Sequence, residues 1–168
     1  MLRKKITKEQ ALSRLETLCS RSEQCSFDLT LKLINWGINR EERTEILESL
    51  KENRYLDDHR FARSYVNDKA RFSGWGPFKI KIELAKRKIP SSVIAEALAG
   101  VDARIWKDSL LKNAASKAKG LILTGEEGYN DRQKLFRYLV SRGFSSASSA
   151  KGVAYMKKLQ MEDEEMGQ

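Results

Sequence analysis

The sequence predicts an all-α fold of three tandem three-helix units, helix-turn-helix-like in kind. One apolar pattern occurs three times: Phe27, Leu29, Leu31, Leu33, Gly37, Ile38; then Phe78, Ile80, Ile82, Leu84, Lys88, Ile89; then, more loosely, Gln133, Leu135, Arg137, Leu139, Gly143, Phe144. The copies are offset by 51 and 55 residues. Periods of this size belong to stacked helical units, which build long surfaces rather than deep catalytic pockets. A second observation is that 168 residues include only two prolines and few β-branched runs, which disfavours strands. The expected division is a first repeat over 1–53, a central one over 54–100, a third over 101–160 and an acidic tail over 161–168.

In the first unit a helix is predicted from Lys8 to Arg21, with Thr7 as its N-cap and Ala11, Leu12, Leu15, Leu18 and Cys19 along one face. A second runs from Ser26, its own cap, to Trp36, and Gly37 supplies the left-handed residue that ends it. Asn39 begins a third, whose Ile46, Leu47 and Leu50 face inward while Glu41, Glu42, Glu45, Glu48 and Glu52 face solvent.

The second unit opens at Asp57–Asp58, since aspartate accepts from free N–H groups and suits the positive end of the helix dipole. Its first helix carries Phe61, Ala62, Tyr65, Val66, Lys69 and Phe72. Gly74-Trp75-Gly76-Pro77 breaks the chain, and Pro77 suits the first turn of the next helix, which runs to Arg87. Pro90 blocks its continuation, and Ser91 or Ser92 opens a short helix with Val93, Ile94, Ala97 and Leu98.

The third unit begins with a long helix, Asp102 to Leu123, lined by Trp106, Leu110, Ala114, Ala118, Leu121 and Ile122. After the loop Thr124–Gly128, a helix from Tyr129 to Arg142 ends at Gly143. Ser145 to Leu159 forms a helix rich in small residues, with Ala147, Ala150, Val153 and Ala154. The polar, acidic residues beyond it are expected to fray.

The formal charge is +9, unevenly spread. Residues 57–100 hold nine Lys/Arg against five Asp/Glu, 101–160 hold twelve against five, and the tail from Met161 has four acids and no base. Such a balance suits a polyanionic or acidic partner, and equally a solvated helical surface. The apolar runs are too short to span a bilayer, and the basic start, Met1–Lys8, lacks the apolar core of a signal peptide. A cytoplasmic protein with no membrane association is therefore expected, its Cys19 and Cys25 reduced and semi-buried.

No catalytic site is legible. His59, the single histidine, stands beside Asp57 and Asp58 in a first helical turn, where a helix-start cluster explains the grouping better than a metal or general base. Gly74-Trp75-Gly76 resembles a fragment of a phosphate loop but lacks the lysine-threonine ending and a preceding strand. No cofactor or metal is expected. The basic residues are more informative: Lys79 and Lys86 share one helix face, Lys81 and Lys88 another. Arg63, Lys69, Arg71 and Arg87 could extend them into a patch that binds phosphates through long-range attraction and counterion release. Arg132, Lys134, Arg137 and Arg142 repeat the theme in the third unit. Trp75 is either an exposed anchor for a partner or a plug between helices.

Leu56-Asp57-Asp58-His59-Arg60-Phe61-Ala62, followed by Gly74-Trp75-Gly76-Pro77 and by Ile80, Leu84 and Ile89, resembles the central repeat of the RecX family, bacterial regulators of the RecA recombinase. Lys88 departs from the glycine more usual at that helix end, and a lysine in a left-handed conformation is strained. The resemblance covers nearly the whole chain, though the third unit matches only as a pattern. It implies tandem three-helix units in a curved, elongated molecule that binds within the groove of a RecA–DNA filament. There it would restrain strand exchange, ATP hydrolysis and co-protease activity, with no catalytic residue. RecA and its nucleoprotein filament are the expected partners, DNA of either strandedness a weak, non-specific one, and the chain a monomer. The main rival is a stand-alone DNA-binding protein using helix-turn-helix-like units, against which no helix carries an evident set of base-reading Arg, Asn and Gln. A scaffold that binds an acidic protein and never meets DNA is a third class.

Overall fold

A computed structural model describes residues 6–167. These form nine helices and no strand: α1 Lys8–Arg21, α2 Ser26–Asn35, α3 Arg40–Glu52, α4 Asp58–Arg71, α5 Pro77–Lys86, α6 Ser91–Ala99, α7 Ala103–Ala118, α8 Tyr129–Ser141 and α9 Ser146–Met166. The fold class is all-α, as predicted.

The starts of the helices are set by short polar side chains. Thr7 and Gln10 form a reciprocal capping box on α1, and Asn39, Asp102 and Ser145 cap α3, α7 and α9. The cap of α2 is Cys25 rather than Ser26: its buried Sγ accepts the Asp28 N–H at 3.5 Å. Burial pushes that thiol up to about 12. Ser26 instead donates its backbone N–H and its hydroxyl to the two oxygens of Asp58, at 2.8 and 2.7 Å. Asp57 caps α4, accepting the His59 and Arg60 N–H groups at 2.8 and 3.1 Å. The aspartate pair thus closes two helix starts, one on each.

The three apolar copies end alike. Leu29 and Leu33, Ile80 and Leu84, and Leu135 and Leu139 are buried, while Leu31, Ile82 and Arg137 between them are exposed. Gly37, Lys88 and Gly143 then take φ of 77°, 59° and 97°. After each, the next N–H returns to the buried leucine's carbonyl: Ile38 to Leu33 at 3.0 Å, Ile89 to Leu84 at 3.2 Å, Phe144 to Leu139 at 3.3 Å. This is the left-handed helix cap with its buried apolar residue just beyond. Lys88 adopts it despite its Cβ.

The chain divides into two compact units, Met1–Tyr65 with Leu84–Ala97, and Val66–Glu83 with Leu98–Gln168. Helices α4 and α5, and the last residues of α6, are divided between them. The first has a core of Ala11, Leu15, Leu29, Leu33, Ile38, Ile46, Leu50 and Leu56. The second centres on Leu110, Ala114, Leu123, Leu135, Leu139, Phe144 and Met156. Each fully buried Leu or Ile contributes roughly 1.5–3 kcal/mol.

Two helix ends differ from the sequence expectation. Helix α7 stops at Ala118, not Leu123, because Lys119 leaves helical ψ and Gly120 turns left-handed at φ 77°. Ile122 is consequently exposed. Helix α9 runs through the acidic segment to Met166 instead of fraying. Gln160 holds it there, its side chain accepting the Leu123 N–H at 2.6 Å and donating to the Leu121 carbonyl at 3.0 Å. The buried face of α9 is Ser149, Gly152 and Met156, while Ala147, Ala150 and Ala154 are exposed. Gly152 decides this, since even a Cβ there would meet Leu139 at 3.1 Å.

Candidate basic interface

The glycine-rich break is built as a backbone dock inside the second unit. Trp75 donates its N–H to the Lys69 carbonyl at 3.0 Å, closing the end of α4. Gly76 donates to the Arg142 carbonyl at 2.7 Å and Phe78 to the Gly143 carbonyl at 3.0 Å. From the other side Asn113 of α7 donates to the Gly74 carbonyl at 2.9 Å, and the Arg142 guanidinium donates to the Ser73 carbonyl. Gly74 is left-handed, φ 64°, with Asn113 where a Cβ would stand. Trp75 is half-buried beside this dock. The ammonium of Lys69 lies 4.8 Å from the ring centroid and that of Lys79 4.5 Å.

Two cations on one aromatic plate are attracted to it by its quadrupole, by about 0.5–1 kcal/mol each at such exposure. Like charges held at one ring repel one another, and a nearby anion relieves that. Of the other cations named by the sequence in this unit, Arg71, Lys81 and Arg137 are exposed. Arg132 is turned inward, donating to the Leu123 and Gly125 carbonyls at 2.7 and 2.9 Å, and Lys134 pairs with Asp131 at 2.9 Å. The Asp131 carboxyl is held below its usual range by that lysine and by the Ile122 N–H.

In the first unit Arg63 and Lys86 are exposed, while Arg87 pairs with Asp28 at 3.1 Å and lies 5.2 Å from the centre of the Tyr65 ring. Arg87 and Arg142 stand 55 residues apart, at matching positions of two copies, and both guanidiniums hold the fold. Lys134 and Lys79 match in the same way, yet only Lys79 reaches an aromatic ring. Sequence reasoning passed over Lys117, whose ammonium lies 5.4 Å from the Tyr138 ring centroid, and Asn113. The signal for Asn113 was its polar side chain in the apolar register of Leu110 and Ala114.

The motif residues occupy structural places. Leu56, Phe61, Ala62, Ile80, Leu84 and Ile89 are buried, and Phe61 packs on Tyr65 with ring centroids 5.5 Å apart. Asp57, Asp58, Gly74 and Gly76 serve the helix starts and the dock already described. His59 is exposed. Among the described residues, no group of three or more His, Cys, Asp or Glu is placed to hold a metal, and no helix is long and apolar enough to cross a membrane.

An all-α helical-repeat protein, with cations and aromatics displayed on helix surfaces, is the class these features define. The family model described as RecX, second three-helix domain, matches residues 57–98. The chain is 31% identical over 137 residues to a regulatory protein RecX of Prosthecochloris aestuarii, covering 82% of this chain and 87% of that one. It is likewise 31% identical over 137 residues to one from Clostridium botulinum strain Alaska E43, of which it spans only 62%. A crystal structure of regulatory protein RecX superposes with a TM-score of 0.73 at 26% identity, covering 84% of this chain and 68% of that one. The chain belongs to the RecX family.

Proposed function

We propose that this protein is a non-enzymatic, cytoplasmic regulator of the RecA recombinase, binding RecA and the groove of the RecA–DNA filament. There it restrains strand exchange, ATP hydrolysis and co-protease activity. The observation that carries this reading is membership of a family named for regulation, at 31% identity across most of the chain. Charge supports it: the surplus of cations lies in residues 57–160, and a polyanionic filament attracts such a surface through counterion release.

The residues we assign to contact are the exposed Arg63, Arg71, Lys81, Lys86 and Arg137, together with the half-buried Lys69–Trp75–Lys79 plate. Arg87, Arg132 and Arg142 act by shaping the surface. Each repeat supplies a modest contact, and linked contacts add by raising the effective concentration of the next.

Titration into a RecA–single-stranded-DNA ATPase reaction tests the proposal. Inhibition near stoichiometric levels is expected. Full ATP hydrolysis in excess protein would refute it, and a sequence-specific footprint on DNA without RecA would favour the stand-alone DNA-binding reading instead.

A further inference from the structure

A largely exposed stripe runs along one side of helix α9. Ser148, Lys151, Tyr155, Leu159, Glu162 and Met166 recur every three or four residues, so they lie along one side of the helix. Tyr155, Leu159 and Met166 are 45, 38 and 79% exposed. The amino-terminal half of this stripe forms one wall of a groove of about 700 Å3, whose other walls come from α7 and the start of α5. Phe78, Trp106, Leu111 and Phe144 line it; Lys107 and Lys151 are its charged side chains, and no acid lines it. The other end of α9 has the opposite character: Met161 and Met166 flank Glu162, Asp163, Glu164 and Glu165.

We propose that this groove receives the acidic carboxyl-terminal end of α9 from a second copy of the chain, in an antiparallel, two-fold pairing of the two helices. The spacing of the stripe permits it. With the helices crossing near Lys157, Tyr155 of one copy faces Leu159 of the other, Lys151 faces Glu162, and Met166 reaches Ser148 at the groove. A two-fold contact needs a surface that matches itself, and this stripe offers one: Lys151 and no acid in the first half, Tyr155 and Leu159 beside Lys157 and Lys158 at the middle, and four acids from Glu162 to Glu165. Glu162 already lies 3.6 Å from Lys158 of its own helix, but an exposed pair of this kind is worth little and exchanges readily. The acidic end cannot enter its own groove, because both belong to one continuous helix.

One helix pair and a groove edge bury less than the roughly 1,200–2,000 Å2 of stable complexes, so the association is weak and concentration-dependent. It departs from the monomer expected from the sequence and does not depend on the filament reading, since no RecA enters its test. Sedimentation equilibrium of the full chain at low salt, to about 1 mM, where even an association of about −4 kcal/mol is half complete, measures it. The average mass should rise towards that of a dimer and fall back as salt is added. Lys151→Glu and Glu162→Lys should each weaken association about tenfold or more, with helical content unchanged, and the double swap should restore it. A monomer at every concentration would overturn the proposal, as would a dimer indifferent to Lys151→Glu and to Tyr155→Glu. A monomer whose groove instead binds an acidic, leucine-rich peptide or an oligonucleotide would overturn it equally, assigning the groove to a foreign partner.

Discussion

Gly76 and Gly143 meet backbone to backbone: a Cβ on Gly76 would stand 2.3 Å from the carbonyl carbon of Gly143, and one on Gly143 would stand 2.5 Å from the Lys79 nitrogen. Gly76 immediately precedes α5 and Gly143 follows α8, so the approach joins the central copy to the third. Neither neighbour is the end of a flexible side chain, so neither can yield cheaply.

Gly76→Ala should therefore destabilise the protein by at least about 1–3 kcal/mol, the usual cost of overpacking. Gly120 is the control. It is left-handed at φ 77° with open space around it, so Gly120→Ala should cost only the backbone strain of about 1–2 kcal/mol. Urea unfolding monitored by circular dichroism gives both values. A Gly76→Ala cost no larger than that of Gly120→Ala would count against the dock.

Lys88→Gly should stabilise the chain. Lys88 holds φ 59° where its counterparts are Gly37 and Gly143. Removing the Cβ recovers strain of about 1–2 kcal/mol, and the unfolded chain's added freedom takes back about 0.5–1 kcal/mol. A net gain of up to about 1.5 kcal/mol in urea unfolding is expected.

Asp58 and Ser26 should prove energetically coupled. Hydrogen bonds to charged groups contribute about 1.5–3 kcal/mol, and Asp58 accepts two from Ser26. Asp58→Ala should cost about 3 kcal/mol, the low end for two such bonds at a part-buried site. In a double-mutant cycle with Ser26→Ala the costs should fall short of additive, while Asp58→Ala paired with a distant substitution such as Ser141→Ala should add.

These relationships show how much was legible in the sequence. Most helix starts and stops were, because Thr7, Asn39, Gly37, Pro77 and Gly143 act within one turn. The triple pattern was too, since burial at a helical period is local. The aspartate pair was legible only by half: Asp57 caps its own helix, whereas Asp58 reaches a residue 32 positions away. The candidate interface was the least legible. Helical spacing could place Lys79, Arg87, Arg132 and Lys134 on helix faces. It could not distinguish a lysine on the Trp75 ring from an arginine held by Asp28 or by loop carbonyls, because those partners are set by tertiary packing. The end of α9 was misjudged for the same reason: Gln160 and the Leu121–Leu123 backbone hold it.

The capping role of Asp57 sets an acid-side pH dependence. Partial burial raises its carboxyl, but the N–H groups of Arg60 and His59 outweigh this and hold it below the ordinary value. A carboxyl depressed in the folded state stabilises fully above its unfolded pKa of about 3.9 and loses that contribution as pH falls through the folded value. Asp57→Asn should keep much of the cap while flattening the decline in stability below about pH 4. Thermal unfolding of both proteins between acidic and neutral pH checks this.

Whether this chain holds the RecA filament through its exposed cations is decided by equilibrium binding of the full chain to preformed RecA–single-stranded-DNA filaments across a salt series. The wild-type protein should bind saturably, with affinity falling linearly in the logarithm of salt concentration. Lys81→Glu with Arg137→Glu should weaken binding and flatten that slope, by about 0.7–0.9 for each phosphate contact removed. Circular dichroism should show the variant still helical. Binding that ignores salt and survives both charge reversals undiminished would exclude these cations as the filament contact.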